Sequence, residues 1–218
     1  MPDSERKKST FINLKQLKRM DRFQIKGAPT CRIVYPNGLF EKKQVKGGVG
    51  DPKYSAIILI PKDDEAKVAQ IKERFAEAFD NLRKQGFTGK TPKSINPKNC
   101  CLEDGDDYAD EKEGAEDFRG YLRLKVSSKT VRPIVVDKQK RVILNGVPIA
   151  GLGVERISDE ELGSGDYIFA NVQFWTYCNS TAQGIGCNVL AVMRMAPGDP
   201  IGGVSHNVDD YISTEGYE

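Results

Sequence analysis

The segment YIFANVQFWTY, residues 167–177, places two kinds of side chain on alternating positions. Tyr167, Phe169, Asn171, Gln173, Trp175 and Tyr177 share one parity, and Ile168, Ala170, Val172, Phe174 and Thr176 share the other. Successive side chains of a strand point to opposite faces, so an extended segment sends the second set into a core and presents rings and amides on the other side. Planar rings beside amides are the chemistry on which unstacked bases lie, with stacking worth roughly 1–3 kcal/mol per base and tolerant of sequence. The segment RGYLRLKV, residues 119–126, repeats the arrangement with charge. Leu122, Leu124 and Val126 fall on one side, and Arg119, Tyr121, Arg123 and Lys125 on the other, a basic stripe with an embedded ring that suits a phosphate backbone plus one base. Lys129 and Arg132 continue the charge, and Lys53 and Tyr54 at the head of another strand-like run complete the candidate set. The ordinary alternative is that the rings pack under a loop or at a homodimer interface, and that the basic stripe is a solvated sheet face.

The elements that must position these residues are mostly strands. Residues 29–35 read as a strand closed by the turn signal Pro36-Asn37-Gly38, and 53–60 (KYSAIILI) as a buried β-branched strand ending at Pro61. Further strands follow in 119–128, PIVVD and RVIL, and two long strands, 167–179 and 186–195, are joined by STAQG as a hairpin. One amphipathic helix is expected over about 63–85, capped by Asp63 or Asp64. Its apolar stripe is Val68, Ile71, Phe75, Ala78, Phe79 and Leu82, Gly86 stops it, and Lys67, Lys72, Glu73, Arg74 and Arg83 lie on the solvated face. Residues 86–118 read as an irregular loop carrying an acidic block at about 99–118. The fold class is therefore mainly β, a β-rich α+β chain. Its most economical architecture is an oligonucleotide-binding (OB) five-stranded barrel with an inserted helix. Residues 1–27 form a flexible basic arm with a short helix around Leu14–Met20, 28–203 the domain, and 204–218 an acidic tail.

Charge is segregated along the chain although its net value is only +2. Residues 1–98 carry 22 Lys/Arg against 11 Asp/Glu, whereas residues 99–118 carry one lysine against nine acids. Residues 119–208 return to 10 against 7, and 209–218 hold four acids and no base. A basic body with two acidic segments attracts a polyanion and carries its own competitor. The tail residues Asp209, Asp210, Tyr211, Glu215, Tyr217 and Glu218 combine carboxylates with rings, as a mimic of a single strand would.

Several function classes are excluded or disfavoured. No apolar run approaches the ~20 residues of a membrane span, and the charged N-terminus has no apolar segment behind it to act as a secretory signal. Five cysteines with no C-x-x-C pair fit a reducing compartment and small apolar packing rather than disulfides or zinc. The acidic run Leu102-Glu103-Asp104-Gly105-Asp106-Asp107-Tyr108 begins like a calcium loop, but glycine falls at the second position and Ala115 occupies the twelfth. A metal-dependent nuclease using the 103–117 carboxylates is the enzymatic alternative, and an assembly or dimerisation protein the structural one. His206 is the lone histidine and sits in the tail, a poor setting for nucleophilic catalysis. No P-loop or dinucleotide fingerprint is present, and Gly184-Ile185-Gly186 reads as a hairpin glycine pair. No catalytic residue, metal or cofactor is expected.

The chain resembles phage-encoded single-stranded DNA-binding proteins, a family first described as a domain of unknown function and related in fold to the DNA-binding protein of podovirus replisomes. The resemblance is carried by KYSAIILIPKDD (53–64), Asp104-Gly105-Asp106, GYLRLKVSS with RPIVVD (120–137), and DYIFANVQFWTYCN…GIGCNVLAVMRMAPGDPIGG (166–203). It implies an OB fold with an inserted helix and single-stranded DNA binding with little sequence preference. It also implies an acidic tail that regulates binding, service in phage replication and recombination, and residence in the cytoplasm of the bacterial host. In the podovirus group the tail ends in an aromatic residue that contacts phage replication proteins; here Tyr217 is followed by Glu218.

Overall fold

Strict alternation of apolar and polar residues makes residues 167–178 a strand that separates two environments. The computed structural model, which describes residues 17–44 and 51–202, realises it as β8 (Tyr167–Cys178), buried at every second residue from Ile168 to Cys178. The tail and the first 16 residues lie outside the described residues. β8 pairs antiparallel with β9 (Gln183–Ala196) along its whole length. The connection 179–182 is set by Asn179, whose side chain accepts hydrogen bonds from the amides of Thr181 and Ala182. Register shifts at 167/168 and 171/172 bend the hairpin, the curvature a closing sheet needs.

The remaining strands are β1 (Leu17–Arg19), β2 (Phe23–Gln24), β3 (Arg32–Val34), β4 (Tyr54–Pro61), β5 (Leu102–Asp104), β6 (Tyr121–Ser128) and β7 (Ile134–Val136). β8 continues through β3, β4 and β6 back to β9, so five strands form a closed ring. Closure rests on one parallel pair, Ser127 with Asn188. Where β6 and β9 diverge, the segment 100–104 wedges between them: Cys101 donates its amide to Ile185 and its carbonyl accepts from Lys125, and β5 pairs with β6. β1 and β2 lengthen the edge of β8, and β7 that of β9. The basic arm expected over 1–27 is thus partly in the sheet: Leu17–Arg19 is strand, not helix, and Ile25 is buried.

Helix α1 (Glu65–Lys84) starts where Asp64 accepts from the amide of Lys67, and ends at Gly86, which takes the left-handed conformation (φ +105°) that favours glycine. Ile71, Phe75, Ala78, Phe79 and Leu82 are buried, and Phe75 meets Phe174 edge-on at 6.0 Å between centroids. Lys67, expected on the solvated face, is instead 2% exposed and ion-paired to Asp64 at 2.5 Å. The segment 27–30 covers this side of the first turn: Thr30 donates its hydroxyl to Asp64, and the Lys67 ammonium lies against Gly27.

The segment 86–118 is not an irregular loop. After β5, the acidic run coils into α2 (Gly105–Glu111), capped by the Asp104 carboxylate, which accepts from the amide of Asp106. Gly105 is required there, because a Cβ would lie 2.1 Å from the Phe118 carbonyl oxygen. α2 and the turn 116–118 cover the outer face of β3 and β4 with a second, smaller core of Val34, Leu59, Ala109, Ala115, Phe118 and Ile201. The ring interior holds the main core.

Hydrogen bonds from Lys67 and then Thr30 pull the Asp64 carboxyl down to about 2 from an ordinary 3.8. A depressed carboxyl pKa contributes stability that is complete above about pH 4 and is lost as the pH falls toward 2. Asp64→Ala leaves Lys67 buried without its partner and is expected to cost about 3 kcal/mol at neutral pH, measured by urea denaturation. The wild-type advantage over this variant is expected to shrink between pH 4 and 2.

Candidate nucleic-acid interface

Strand register decides which residues share the outer face of the ring. Ser55 stands opposite Ser127 and Ile57 opposite Lys125. Ser127 pairs with Asn188, and Asn188 with Gln173. A row of short neutral polar groups therefore crosses β4, β6, β9 and β8. In the neighbouring row, Trp175 stands opposite Gly186 and Tyr177 opposite Gly184. The acidic insertion seals the other half of this face, and where it stops the surface opens into a groove of about 530 Å³. Ser55, Ile57, Lys125, Ser127, Trp175 and Tyr177 line it, together with Tyr35, Lys53, Lys98 and Asn99. A smaller hollow shares Lys53, Ser127 and Trp175 and adds Asp51, Lys129 and Asn188.

Trp175 lies across the bare backbone of Gly186, where a Cβ would come within 2.4 Å of its ring. A glycine inside a strand often marks such a close approach; Gly184 and Gly186 thus belong to the body of β9, not to a hairpin turn. Trp175 also packs on Tyr177, with centroids 5.1 Å apart and planes inclined by 34°. Its indole N–H, turned toward the β9 backbone at Gly186, is buried and meets no acceptor among the described residues. Burial pushes the Tyr177 hydroxyl up to about 12, so the ring stays neutral at any physiological pH and does not repel phosphate. Burial likewise raises the Cys101 and Cys187 thiols at the groove floor, keeping them protonated and unreactive.

The groove cations are lysines with partners that can be exchanged. Lys125 meets Glu103 at 2.5 Å and donates to the Pro97 carbonyl at 3.1 Å. Lys129 pairs with Asp51 at 2.5 Å, both well exposed, and exposed pairs of this kind contribute little.

The structure gathers Lys53, Lys125, Lys129, Trp175 and Tyr177 of the expected residues and separates the others. Arg123, expected to face phosphate, is 4% exposed. Its guanidinium sits 3.3 Å from the Tyr108 ring centroid and 2.8 Å from Glu103, so it anchors the insertion. Arg119 is held by Glu116 and Asp110, each at 2.7 Å, away from the groove. Tyr121 packs on the second core. Arg132 donates to the carbonyls of Val147 and Pro148 and lies over Phe40. Tyr54 lies beneath Lys42. Tyr167, stacked by Arg32, and Phe169, opposite Met193, share the outer parity of β8 but stand beyond the groove. Ser55, Ser127, Asn188 and Lys98 were missed because only cross-strand register brings them beside Trp175; Gly186 within a strand was the one local signal. Lys62 bridges Asp104 and Asp106 at 2.5 and 2.6 Å, and the described residues contain no cluster of three or more metal-ligating side chains. No helix among them is long and apolar enough to cross a membrane.

The family model described as the single-stranded DNA-binding protein of Enterobacter phage Enc34 matches residues 25–218. No curated protein matches the chain. Among solved structures, the single-stranded DNA-binding protein from bacteriophage Enc34 in complex with single-stranded DNA is 22% identical. It superposes with a TM-score of 0.56 over 86% of this chain and 90% of that one. The single-stranded DNA-binding protein gp2.5 of bacteriophage T7 is 12% identical, with a TM-score of 0.53 over 92% of this chain and 99% of that one. These likenesses establish a common fold.

Gly186→Val is expected to push the indole from its seat. Because Trp175 is the sole tryptophan, the displacement is read as a red shift of intrinsic emission. An unshifted spectrum in a folded variant would refute the packing described.

Proposed function

The chain belongs to the family of the Enterobacter phage Enc34 single-stranded DNA-binding protein, and from that premise we propose that it binds single-stranded DNA in the groove beside Trp175, largely without regard to sequence. The observation that carries the reading is the packed, half-buried pair Trp175–Tyr177 on one wall of a groove whose cations are lysines. Rings offer stacking to any base and lysines offer charge to any phosphate, a combination without base selection. Lys53, Lys125 and Lys129 meet the backbone, and Trp175 and Tyr177 the bases. Phe169 and Tyr167 continue the same face and extend the path of a longer strand.

The protein acts by binding and not by catalysis. Its carboxylates at 104 and 106 already hold the Lys62 ammonium, which disfavours their use as metal ligands in a nuclease. Its task is to protect and organise single strands during phage replication and recombination in the host cytoplasm. The acidic residues 209–218 compete with DNA for the groove and, when displaced, are free for replication proteins. Supporting this, Ile201 is anchored in the second core, and Gly202 lies beside the hydroxyl of groove-lining Tyr35. The last described residues thus lie beside the groove wall.

The test is anisotropy of a labelled oligo-dT of about thirty nucleotides at two salt concentrations, beside a duplex of equal length. Preference for the single strand, weakening as salt rises, is expected, and equal binding to both would overturn the reading. Trp175→Ala is expected to weaken binding by about 1–3 kcal/mol. Deleting residues 209–218 is expected to tighten it at low salt; unchanged affinity would reject competition by the tail.

A further inference from the structure

Tyr35 is a bulky residue in a conformation that bulky residues avoid. Its backbone is left-handed, at φ 58° and ψ 45°, and it precedes Pro36, a position biased toward extended geometry. Glycine would occupy it without strain. The strain has a definite geometric consequence. Ile33 points into the ring and Val34 outward beneath the second core, so an extended residue 35 would point inward again. The left-handed turn ejects the side chain instead, leaving Tyr35 47% exposed on the wall of the groove.

Its neighbours hold it there. Gly38 donates its amide to the Tyr35 carbonyl at 3.2 Å. Gly38 is itself pinned against β4, where a Cβ would come within 2.2 Å of the Ser55 carbonyl oxygen. The tyrosine makes no side-chain capping bond to the 3-10 turn that follows. Its hydroxyl end abuts Gly202 while about half of the residue stays open to the groove, and a strained ring so presented fits a functional constraint.

Resting on the single-stranded DNA reading of this groove, we propose that Tyr35 is a base-stacking residue. It supplies an aromatic platform on the β3–β4 side, and Trp175 and Tyr177 supply one on the β8–β9 side. The bound strand then crosses the lysines and the neutral row Ser55, Ser127 and Asn188 between two aromatic ends.

The test is titration of the full chain and its Tyr35→Phe and Tyr35→Gly variants with the same oligo-dT, each variant also melted thermally. Tyr35→Phe keeps the ring and is expected to bind like the wild type. Tyr35→Gly is expected to weaken binding about 5- to 150-fold, the equivalent of one lost stack. Its Tm is expected to stay level or rise, and its salt dependence to keep the wild-type slope because no cation is lost. Wild-type affinity in Tyr35→Gly would overturn the proposal while leaving the groove's function standing. A wild type that binds no single strand would overturn both. Tyr35→Asn, which also tolerates the left-handed conformation, guards against a folding defect; collapse of both variants would make Tyr35 structural and refute the proposal.

Discussion

The structure depends on the backbone pairing of β8 with β9. That hairpin spans Tyr167 to Ala196, and every other strand except β4 and β5 pairs with one of its two members. Its period of two does double service. One parity of β8 fills the ring with Ile168, Ala170, Val172 and Phe174, and the other carries Trp175 and Tyr177 on the outside. A slip of one residue would exchange the two sets, placing amides in the core and aliphatic chains in the groove. Core burial therefore enforces the register that aims the aromatic wall.

The charge arrangement follows a related economy. The acidic block and the basic strand are distant in composition but neighbours in space, since β5 pairs directly with β6 and sets Glu103 opposite Arg123. Arg123 is nearly water-free between Glu103 and the Tyr108 and Phe118 rings. Breaking such an arrangement strands a buried charge, so the insertion is held firmly. It also consumes Arg119 and Lys62. The cations left at the groove are lysines with exchangeable partners, for which a phosphate substitutes one counter-charge for another.

Local conformational costs cluster at this groove. Tyr35 adopts a left-handed backbone, Gly186 gives up a side chain to seat an indole, and the Trp175 N–H is buried without an acceptor among the described residues. A strand bound as proposed would offset part of these costs by stacking on the rings. The ring interior, by contrast, is conventionally packed.

The sequence by itself determined what depends on neighbours along the chain. The alternation of 167–177, the stripe and stops of α1, the β-branched run of β4 and the aromatic character of the site were all legible because periodicity is a local property. The order of the strands could be inferred only through family resemblance. The tertiary structure alone decided which charged groups remain available. Arg123 and Lys125 look equivalent on the β6 pattern, yet one is buried beneath α2 and the other lines the groove. Lys67 looked solvated and is buried. Those outcomes turn on where a distant segment folds back, and Coulomb and packing energies depend on distances through space, which chain order does not encode.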